Sequence, residues 1–230
     1  MAAPRGVHGQ TVEALGRRIV AGDIPEGATL DIAALRAELD VSLTALREAL
    51  KVLSAKGIID ARQKRGTFVR PRADWHLLDV DVIRWHFAAS AGERLCEMLH
   101  EVREIVEPAV ARLAALRACA ADLVALDRAI DQMAVAEGDP SAAVAADLNF
   151  HRTLLAVSHN ELLQRMEVVL ATGLAERDRV VHGGPHDDPV PSHRAVVDAI
   201  REGDAAGAEK AMRRLLDKSI HDERNARDAA

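Results

Sequence analysis

The segment VSLTALREALKVL, residues 41–53, places its apolar side chains at the spacing of one helical face. The apolar face is formed by Leu46, Ala49, Leu50 and Leu53, and the opposite face carries Ser42, Thr44, Arg47 and Lys51. Ser42 is a preferred N-cap residue, and Gly57 is suited to end a helix. The pattern predicts a helix from Ser42 to near Gly57, with one apolar face and one face of hydroxyls and cations.

Two predicted helices precede this one, and a predicted hairpin follows it. Residues 11–21 have apolar side chains at helical spacing, and Asp31 can cap a second, shorter helix. Residues 58–59 and 67–69 form two β-like runs, with Gly66 in the turn between them. The order helix, helix, helix, hairpin predicts a winged helix-turn-helix.

The remainder of the chain is predicted to be helical. Only 2% of residues are aromatic while 49% are apolar, so Ala, Leu and Val must build the core, which favours packed helices. Helices are predicted at 93–118, 121–137, 141–158, 161–181, 190–202 and 204–225. We predict a mostly α fold. It comprises a winged helix-turn-helix at 1–72, a linker helix at 73–92 and an all-α helical bundle at 93–230.

Charge is distributed unevenly along a chain whose net charge is −6. Residues 1–72 hold 12 Lys or Arg and 8 Asp or Glu, whereas the remaining residues hold 18 and 28. A basic first segment is typical of an end that binds a polyanion. The two cysteines and the lack of a long apolar run argue against a disulfide framework and a membrane span. We therefore expect a cytoplasmic protein.

The polar face of the third helix and the basic hairpin are the candidate DNA-binding surface. A helix fits the major groove, and its first turns reach base edges, whereas a basic hairpin suits phosphates or a minor groove. The alternative is an ordinary charged surface, but the order of elements and the basic hairpin together favour DNA. The candidate residues are Ser42, Thr44, Arg47, Lys51, Arg62, Lys64 and Arg65.

Asp147 and His151 are four residues apart in ADLNFHRTLL and can point at one ion from the same helix face. His193 lies on a later predicted helix that could fold back beside them. A carboxylate and two imidazoles suit zinc, nickel or a similar divalent ion. The alternative is a surface Asp–His pair and an unrelated capping His.

VSLTALREALKVLSAKGIID followed by RGTFV resembles the GntR family of bacterial transcription factors, whose usual core reads VSRTPVREAL. The resemblance implies operator binding with Arg47 in contact with DNA. Leu43 and Ala45 stand where the family usually has Arg and Pro. Because that Arg commonly reads a guanine, we expect an altered base preference rather than lost binding.

The second half resembles the FCD ligand-binding domain of the FadR-like subfamily through EVREIVEPAVARLAA, ADLNFHRTLL and HRAVVDAI. That domain is a helical bundle, and many members hold a metal. The resemblance implies Asp147, His151 and His193 as ligands. Leu215 falls at the usual position of a fourth ligand, which leaves a three-ligand site with an open position.

Two further residues are candidates for binding an effector. Arg103 lies where the subfamily often places an Arg that grips an effector carboxylate, and the alternatives are a salt bridge to Glu107 or packing beside Leu99. Asn149 flanks the metal motif. The connector DWHLLDVDVIRW resembles that of galactonate-operon repressors and related sugar-acid regulators, which implies a sugar acid with one carboxylate.

These features predict a ligand-responsive transcriptional repressor: a homodimer that binds double-stranded operator DNA, has no enzymatic activity and is released from the operator by a sugar acid or another small carboxylate. One alternative is a metal-dependent enzyme that acts on a sugar acid and is fused to a DNA-binding domain, with Glu97, Glu101 and Glu104 as possible bases. Another is an architectural DNA-binding protein without a ligand.

Overall fold

The protein is described from a computed structural model, which describes residues 6–89, 92–136, 138–171 and 188–228. Contacts divide the chain into two compact units, Met1–Leu95 and Cys96–Ala230. Among the described residues, no helix is both long and apolar enough to cross a membrane.

The first unit has the predicted order of elements. Its helices are α1 (Val7–Ala21), α2 (Ile32–Glu38) and α3 (Leu43–Ala55), and its hairpin pairs β1 (Ile59–Arg62) with β2 (Gly66–Val69). The strands are antiparallel, with Ile59 opposite Val69 and Arg62 opposite Gly66. The winged helix-turn-helix is therefore confirmed, and we call residues 59–69 the wing.

The ends of these elements follow from local side chains. The Asp31 carboxylate accepts hydrogen bonds from two backbone amides at the start of α2, and the Ser42 hydroxyl accepts one from the Ala45 amide at 3.1 Å. Gly57 has a φ of 74° after α3, and Gly66 has a φ of 80° at the turn of the wing. Each turn therefore has a glycine where a side chain would be strained.

The segment after the wing is less helical than predicted. A 3-10 turn covers Arg72–Asp74, and helix α4 spans Val80–Ala88 rather than most of 73–92. The Asp79 side chain explains the late start, because it caps the amides of Asp81 and Val82. Helix α4 packs against α1 within the first unit, where Trp85 is buried. The boundaries at 72 and 92 stay predictions.

The second unit is helical throughout its described residues. Its helices are α5 (Gly92–Arg117), α6 (Ala120–Val135), α7 (Pro140–Val157), α8 (Glu161–Arg165), α9 (Val190–Arg201) and α10 (Ala205–Asp228). The core consists largely of Ala, Val, Leu and Ile, as the composition predicted. The helical second half is therefore confirmed.

One predicted helix is wrong in its extent. Residues 161–181 were expected to form one helix, but a turn at Met166 separates α8 from helical residues 167–171. The Met166 amide donates to the Leu163 carbonyl at 3.1 Å, so the last turn of α8 tightens to an i to i+3 bond. Residues 172–181 lie outside the described part of the chain.

Candidate nucleic-acid interface and candidate metal centre

The outer face of α3 is a strip of polar side chains supported by a buried apolar face. Leu46, Ala49, Leu50 and Leu53 are buried in the core of the first unit. Ser42, Thr44, Arg47 and Lys51 are all exposed. The structure thus places the four predicted α3 residues on the solvent side of one helix.

Arg47 and Lys51 differ in their local partners. In the described part of the chain, the Arg47 guanidinium forms no ion pair. The Lys51 amine lies 2.7 Å from the Glu48 carboxylate, in an exposed pair three residues apart. Because exposed pairs contribute little free energy, Lys51 can exchange Glu48 for a phosphate at small cost. Arg47 needs no such exchange.

The wing carries three cations in different settings. The Arg62 Nε lies 3.2 Å from the Asp60 carboxylate, and the Arg65 guanidinium stacks 3.6 Å above the Phe68 ring. Lys64 has a φ of 69°, which puts it in the left-handed turn at the tip of the hairpin. The stacking holds Arg65 against the hairpin, whereas Lys64 projects from its tip.

A cavity of about 290 Å³ lies between α3 and the wing. Arg47, Lys51 and Ser54 line it from the helix, and Asp60 and Thr67 line it from the strands. The structure therefore brings two cations of α3 and the strands of the wing to one concave surface.

Asp147, His151 and His193 converge inside the second unit. Asp147 and His151 lie one turn apart on α7, and His193 lies in the first turn of α9. One ligand atom from each residue lies within 4.8 Å of the other two, and all three side chains are buried. The first alternative, a surface Asp–His pair, is therefore wrong.

The two imidazoles approach the Asp147 carboxylate without forming hydrogen bonds to it. His193 Nε2 lies 3.0 Å from Asp147 Oδ1, and His151 Nε2 lies 3.7 Å from Asp147 Oδ2. Among the described residues, neither imidazole Nε2 has a hydrogen-bond partner. A buried nitrogen left in that state costs free energy, and a bound cation would offset that cost.

Each imidazole is also oriented by a contact to its other nitrogen. His193 Nδ1 lies 2.8 Å from the Pro189 carbonyl, and His151 Nδ1 lies 3.0 Å from the Glu107 carboxylate. The Pro189 carbonyl accepts a hydrogen bond from His193 Nδ1, which keeps the proton of His193 on that nitrogen. The Glu107 contact lacks hydrogen-bond geometry, but the negative carboxylate favours a proton on the nearer nitrogen of His151 by charge, and both Nε2 lone pairs are then available to coordinate. The donor set and the tautomers fit a divalent metal such as zinc.

Glu107 is a residue of this site that the sequence did not reveal as functional. One of its carboxylate oxygens lies 2.8 Å from Arg103 Nε, and the other lies 3.0 Å from His151 Nδ1. Burial alone would raise the pKa of the Glu107 carboxyl, but Arg103 and His151 outweigh burial and lower that pKa to about 2. The sequence did contain a signal for Glu107, because Arg103 and Glu107 are two charged residues, four positions apart, on the otherwise apolar face of α5.

The two predicted effector residues, Arg103 and Asn149, contact different residues of the second unit. Arg103 forms a salt bridge to Glu107, which was one of the alternatives to an effector contact, and Glu107 in turn lies beside His151. Asn149 donates to Gln132 on α6 at 2.8 Å, and it is two residues from both Asp147 and His151, which places it on another side of α7. The structure therefore joins Arg103 to the buried group but does not join Asn149 to it.

Other sequence candidates also have clear positions. Leu215 is buried in the apolar core, so it offers no ligand atom where a fourth ligand was considered. Glu97, Glu101 and Glu104 are exposed on α5, so the enzyme alternative loses its suggested bases.

The fold and the two sites together define a class of protein: a DNA-binding regulator of transcription with a separate ligand-responsive helical module. The model of the bacterial regulatory proteins of the gntR family matches residues 8–69, and the FCD domain model matches residues 97–218. The chain belongs to the GntR family, and its second half is an FCD domain.

Relatives and solved structures agree with this assignment. The galactonate operon transcriptional repressor of Escherichia coli is 34% identical over 209 residues, covering 89% of this chain and 91% of that protein. The transcriptional regulator LutR of Bacillus subtilis is 29% identical and covers 83% of this chain and 89% of its own. The solved structure of Lar from Listeria monocytogenes shares the fold, with a TM-score of 0.65 at 18% identity over 96% of this chain and 98% of that one.

Proposed function

We propose that this regulator represses a sugar-acid operon and that a small carboxylate releases it from its operator. The observation that carries the proposal is the pairing of an exposed α3 face with a buried Asp–His–His group beside Arg103. The relative whose printed name specifies a galactonate operon supports the class of effector. We further propose a homodimer on a pseudo-palindromic operator, because two copies of one winged domain then read two half-sites.

In the DNA-bound state, α3 lies in the major groove and the wing contacts the adjacent backbone. Ser42 and Thr44 stand at the start of α3, where the backbone approaches closely and a hydroxyl can bond a base or a phosphate. Arg47 follows one turn later without an ion pair to break within the described residues. Lys51, Arg62, Lys64 and Arg65 contribute contacts that position the domain and depend on salt.

In the second unit, Asp147, His151 and His193 would hold a divalent ion, zinc or nickel, and such an ion would supply Lewis acidity toward an oxygen of the effector. The negative Glu107 carboxylate lies 3.0 Å from His151 Nδ1 and favours a proton on that nitrogen by charge, which would leave Nε2 for the ion. The Pro189 carbonyl keeps the proton of His193 on Nδ1 through a hydrogen bond. Leu215 is buried and supplies no donor, so the described residues of this group would contribute three ligands to the ion.

Arg103 is the proposed contact for the effector carboxylate. Its guanidinium is buried and shares the Glu107 carboxylate with His151, so an incoming carboxylate competes with Glu107. That exchange would alter the contacts of a residue that also orients a metal ligand. Effector binding and metal affinity are then linked, and each changes the other by the same factor. Asn149 stays a weaker candidate on another side of α7.

An experiment on the full chain tests both halves of this proposal. Arg47→Ala is expected to abolish binding to the selected operator while leaving sugar-acid binding unchanged by calorimetry. Arg103→Ala is expected to bind the operator normally but to ignore the acid. Arg214→Ala, which removes an exposed charge from α10, serves as the matched control. A normal response of Arg103→Ala would contradict the assignment of the effector site.

A further inference from the structure

Leu43 is an exposed leucine at the first position of the recognition helix. Its residue is 37% exposed, and it lies between the exposed Ser42 and Thr44 at the start of α3. Arg47 follows four residues later, so the two side chains are neighbours on one helix face. An apolar side chain therefore lies on the face that otherwise carries hydroxyls and cations.

The position of Leu43 is fixed by its surroundings. The Ser42 hydroxyl caps the Ala45 amide directly beneath it, and Leu46 anchors the next turn in the core with no exposed surface. Leu43 thus extends from a rigid first turn. Its side chain offers no donor or acceptor, so it can read only shape and apolar surface.

The major groove presents few apolar groups. Guanine, adenine and cytosine show hydrogen-bonding atoms there, whereas thymine adds its C5 methyl group beside one acceptor. Facing a guanine, Leu43 would remove water from two acceptors without replacing their hydrogen bonds. Facing a thymine, it would bury apolar surface from both partners.

We propose that Leu43 contacts a thymine methyl group and makes the operator half-site prefer a T·A pair opposite the start of α3. The proposal rests on the docking of α3 stated above and adds the base that this helix selects. The occupant of the apolar spot is duplex DNA rather than protein, because exposed Arg47 and Lys51 follow Leu43 on the same helix and supply charge that complements phosphates, as do exposed Arg62 and Lys64 on the wing.

Removal of single methyl groups from the operator tests this contact. The full chain is used to select a half-site from random duplexes, and each thymine is then replaced by deoxyuridine in turn. For the wild-type chain, one uracil per half-site is expected to weaken binding about fourfold, measured by fluorescence anisotropy at fixed salt. Leu43→Ala is expected to lose most of that sensitivity, while Leu43→Met retains it.

Two further variants sharpen the result. Leu43→Arg is expected to move the preference at this pair from thymine to guanine, since Arg forks to the O6 and N7 of guanine. Leu78→Ala removes a leucine that is 72% exposed outside the helix-turn-helix, and it is expected to keep the methyl sensitivity of the wild type.

The outcomes separate this inference from the function on which it rests. The thymine contact is overturned if the chain binds a specific sequence but no uracil substitution weakens that binding. It is also overturned if the substitution weakens the binding of Leu43→Ala as much as that of the wild type. Either result leaves the proposed function as a regulator unchanged. A chain that selects no sequence at all overturns the proposed DNA docking and the thymine contact together.

Discussion

At the scale of single residues, Glu107 shows how one carboxylate can serve two neighbours. Its two oxygens face Arg103 and His151, and all three side chains are buried. A carboxylate behind a metal-binding imidazole fixes the tautomer and increases the basicity of the ligand. We therefore propose that Glu107 positions His151 for the proposed metal, and its effect should appear in metal affinity.

Glu107→Gln is expected to weaken zinc binding about 10- to 100-fold, because the amide cannot hold the Nδ1 proton of His151 as a carboxylate does. Competition with a metal-binding dye measures the dissociation constant, and circular dichroism verifies the fold. Glu104→Gln, at an exposed position on the same helix, is the control. Equal affinities in all three proteins would remove Glu107 from the site.

Gly16 gives a second prediction at this scale. A Cβ built on Gly16 would lie 2.5 Å from the Trp85 ring, so the helices α1 and α4 approach closely there. Gly16→Ala is expected to lower the free energy of unfolding of the first unit by about 1–3 kcal/mol through overpacking. This free energy is measured by denaturation that is monitored through tryptophan fluorescence. Gln10→Ala, exposed on the same helix, should change it by less than about 0.5 kcal/mol.

If the close approach is the cause, a smaller side chain at position 85 should relieve it. The double variant with Gly16→Ala and Trp85→Phe, which retains Trp75 as the fluorescent probe, is then expected to cost less than the sum of the two single changes. Simple additivity of the two changes would contradict the close approach of Gly16 and Trp85 as the cause.

At the scale of elements, α4 is joined to the DNA-binding unit by charge as well as by packing. Lys56, just after α3, lies 2.8 Å from both the Asp79 and Asp81 carboxylates. Arg84 donates two hydrogen bonds to Glu13 on α1. Burial would raise the pKa of the Glu13 and Asp81 carboxyls, but their partners outweigh it and lower both. Helix α4 is thus part of the first unit, since its packing partner and these ion pairs all lie there.

His86 on α4 should make the first unit sensitive to acid. Burial lowers the pKa of His86 below its usual 6.5, although its contact with the Val82 carbonyl opposes that change. As the pH falls through about 6.5, His86 takes up a proton in the unfolded chain, whereas in the folded unit it takes up that proton only at a lower pH. Stability is therefore complete above pH 6.5 and decreases as the pH falls from 6.5 towards the folded pKa.

Tryptophan fluorescence isolates this effect, because both tryptophans of the chain, Trp75 and Trp85, lie in the first unit. Urea denaturation at pH 7.5 and at pH 5.5 is expected to give a larger stability difference for the wild type than for His86→Leu. His8→Gln, a change at an exposed histidine, should behave as the wild type. The same difference in all three proteins would assign the acid sensitivity to other groups.

The predictability of the elements depended on how local their determinants are. The helix ends at Asp31 and Ser42 could be predicted because a cap is a contact between near neighbours. The late start of α4 and the break at Met166 could not, since periodicity continues through both positions while caps and tight turns decide the boundary. Residues that share a helix face were therefore safer predictions than helix ends.

The candidate metal site was also predictable only where its determinants are local. The i, i+4 spacing of Asp147 and His151 could be read from the sequence, but the approach of His193 depends on how α9 packs against the rest of the second unit. The partnership of Glu107 with His151 joins two helices and has no sequence signature of its own. Long-range pairing is set by packing, so the family resemblance supplied what spacing could not.

At the scale of the whole molecule, we propose that the buried site of the FCD domain controls the affinity of the winged domain for its operator. The physical requirement is that the effector binds the DNA-free and DNA-bound states with different affinity. Coupling of about 1–3 kcal/mol changes operator affinity by about 5- to 150-fold. That range is sufficient for a switch.

The most direct test is the dissociation constant of the full chain for its selected operator, measured by anisotropy at fixed salt while galactonate and other sugar acids are titrated. We predict that an acid shown by calorimetry to bind will weaken operator affinity at least about fivefold. We also predict that Arg103→Ala will abolish this response. An acid that saturates the protein and leaves the operator affinity unchanged would contradict the account.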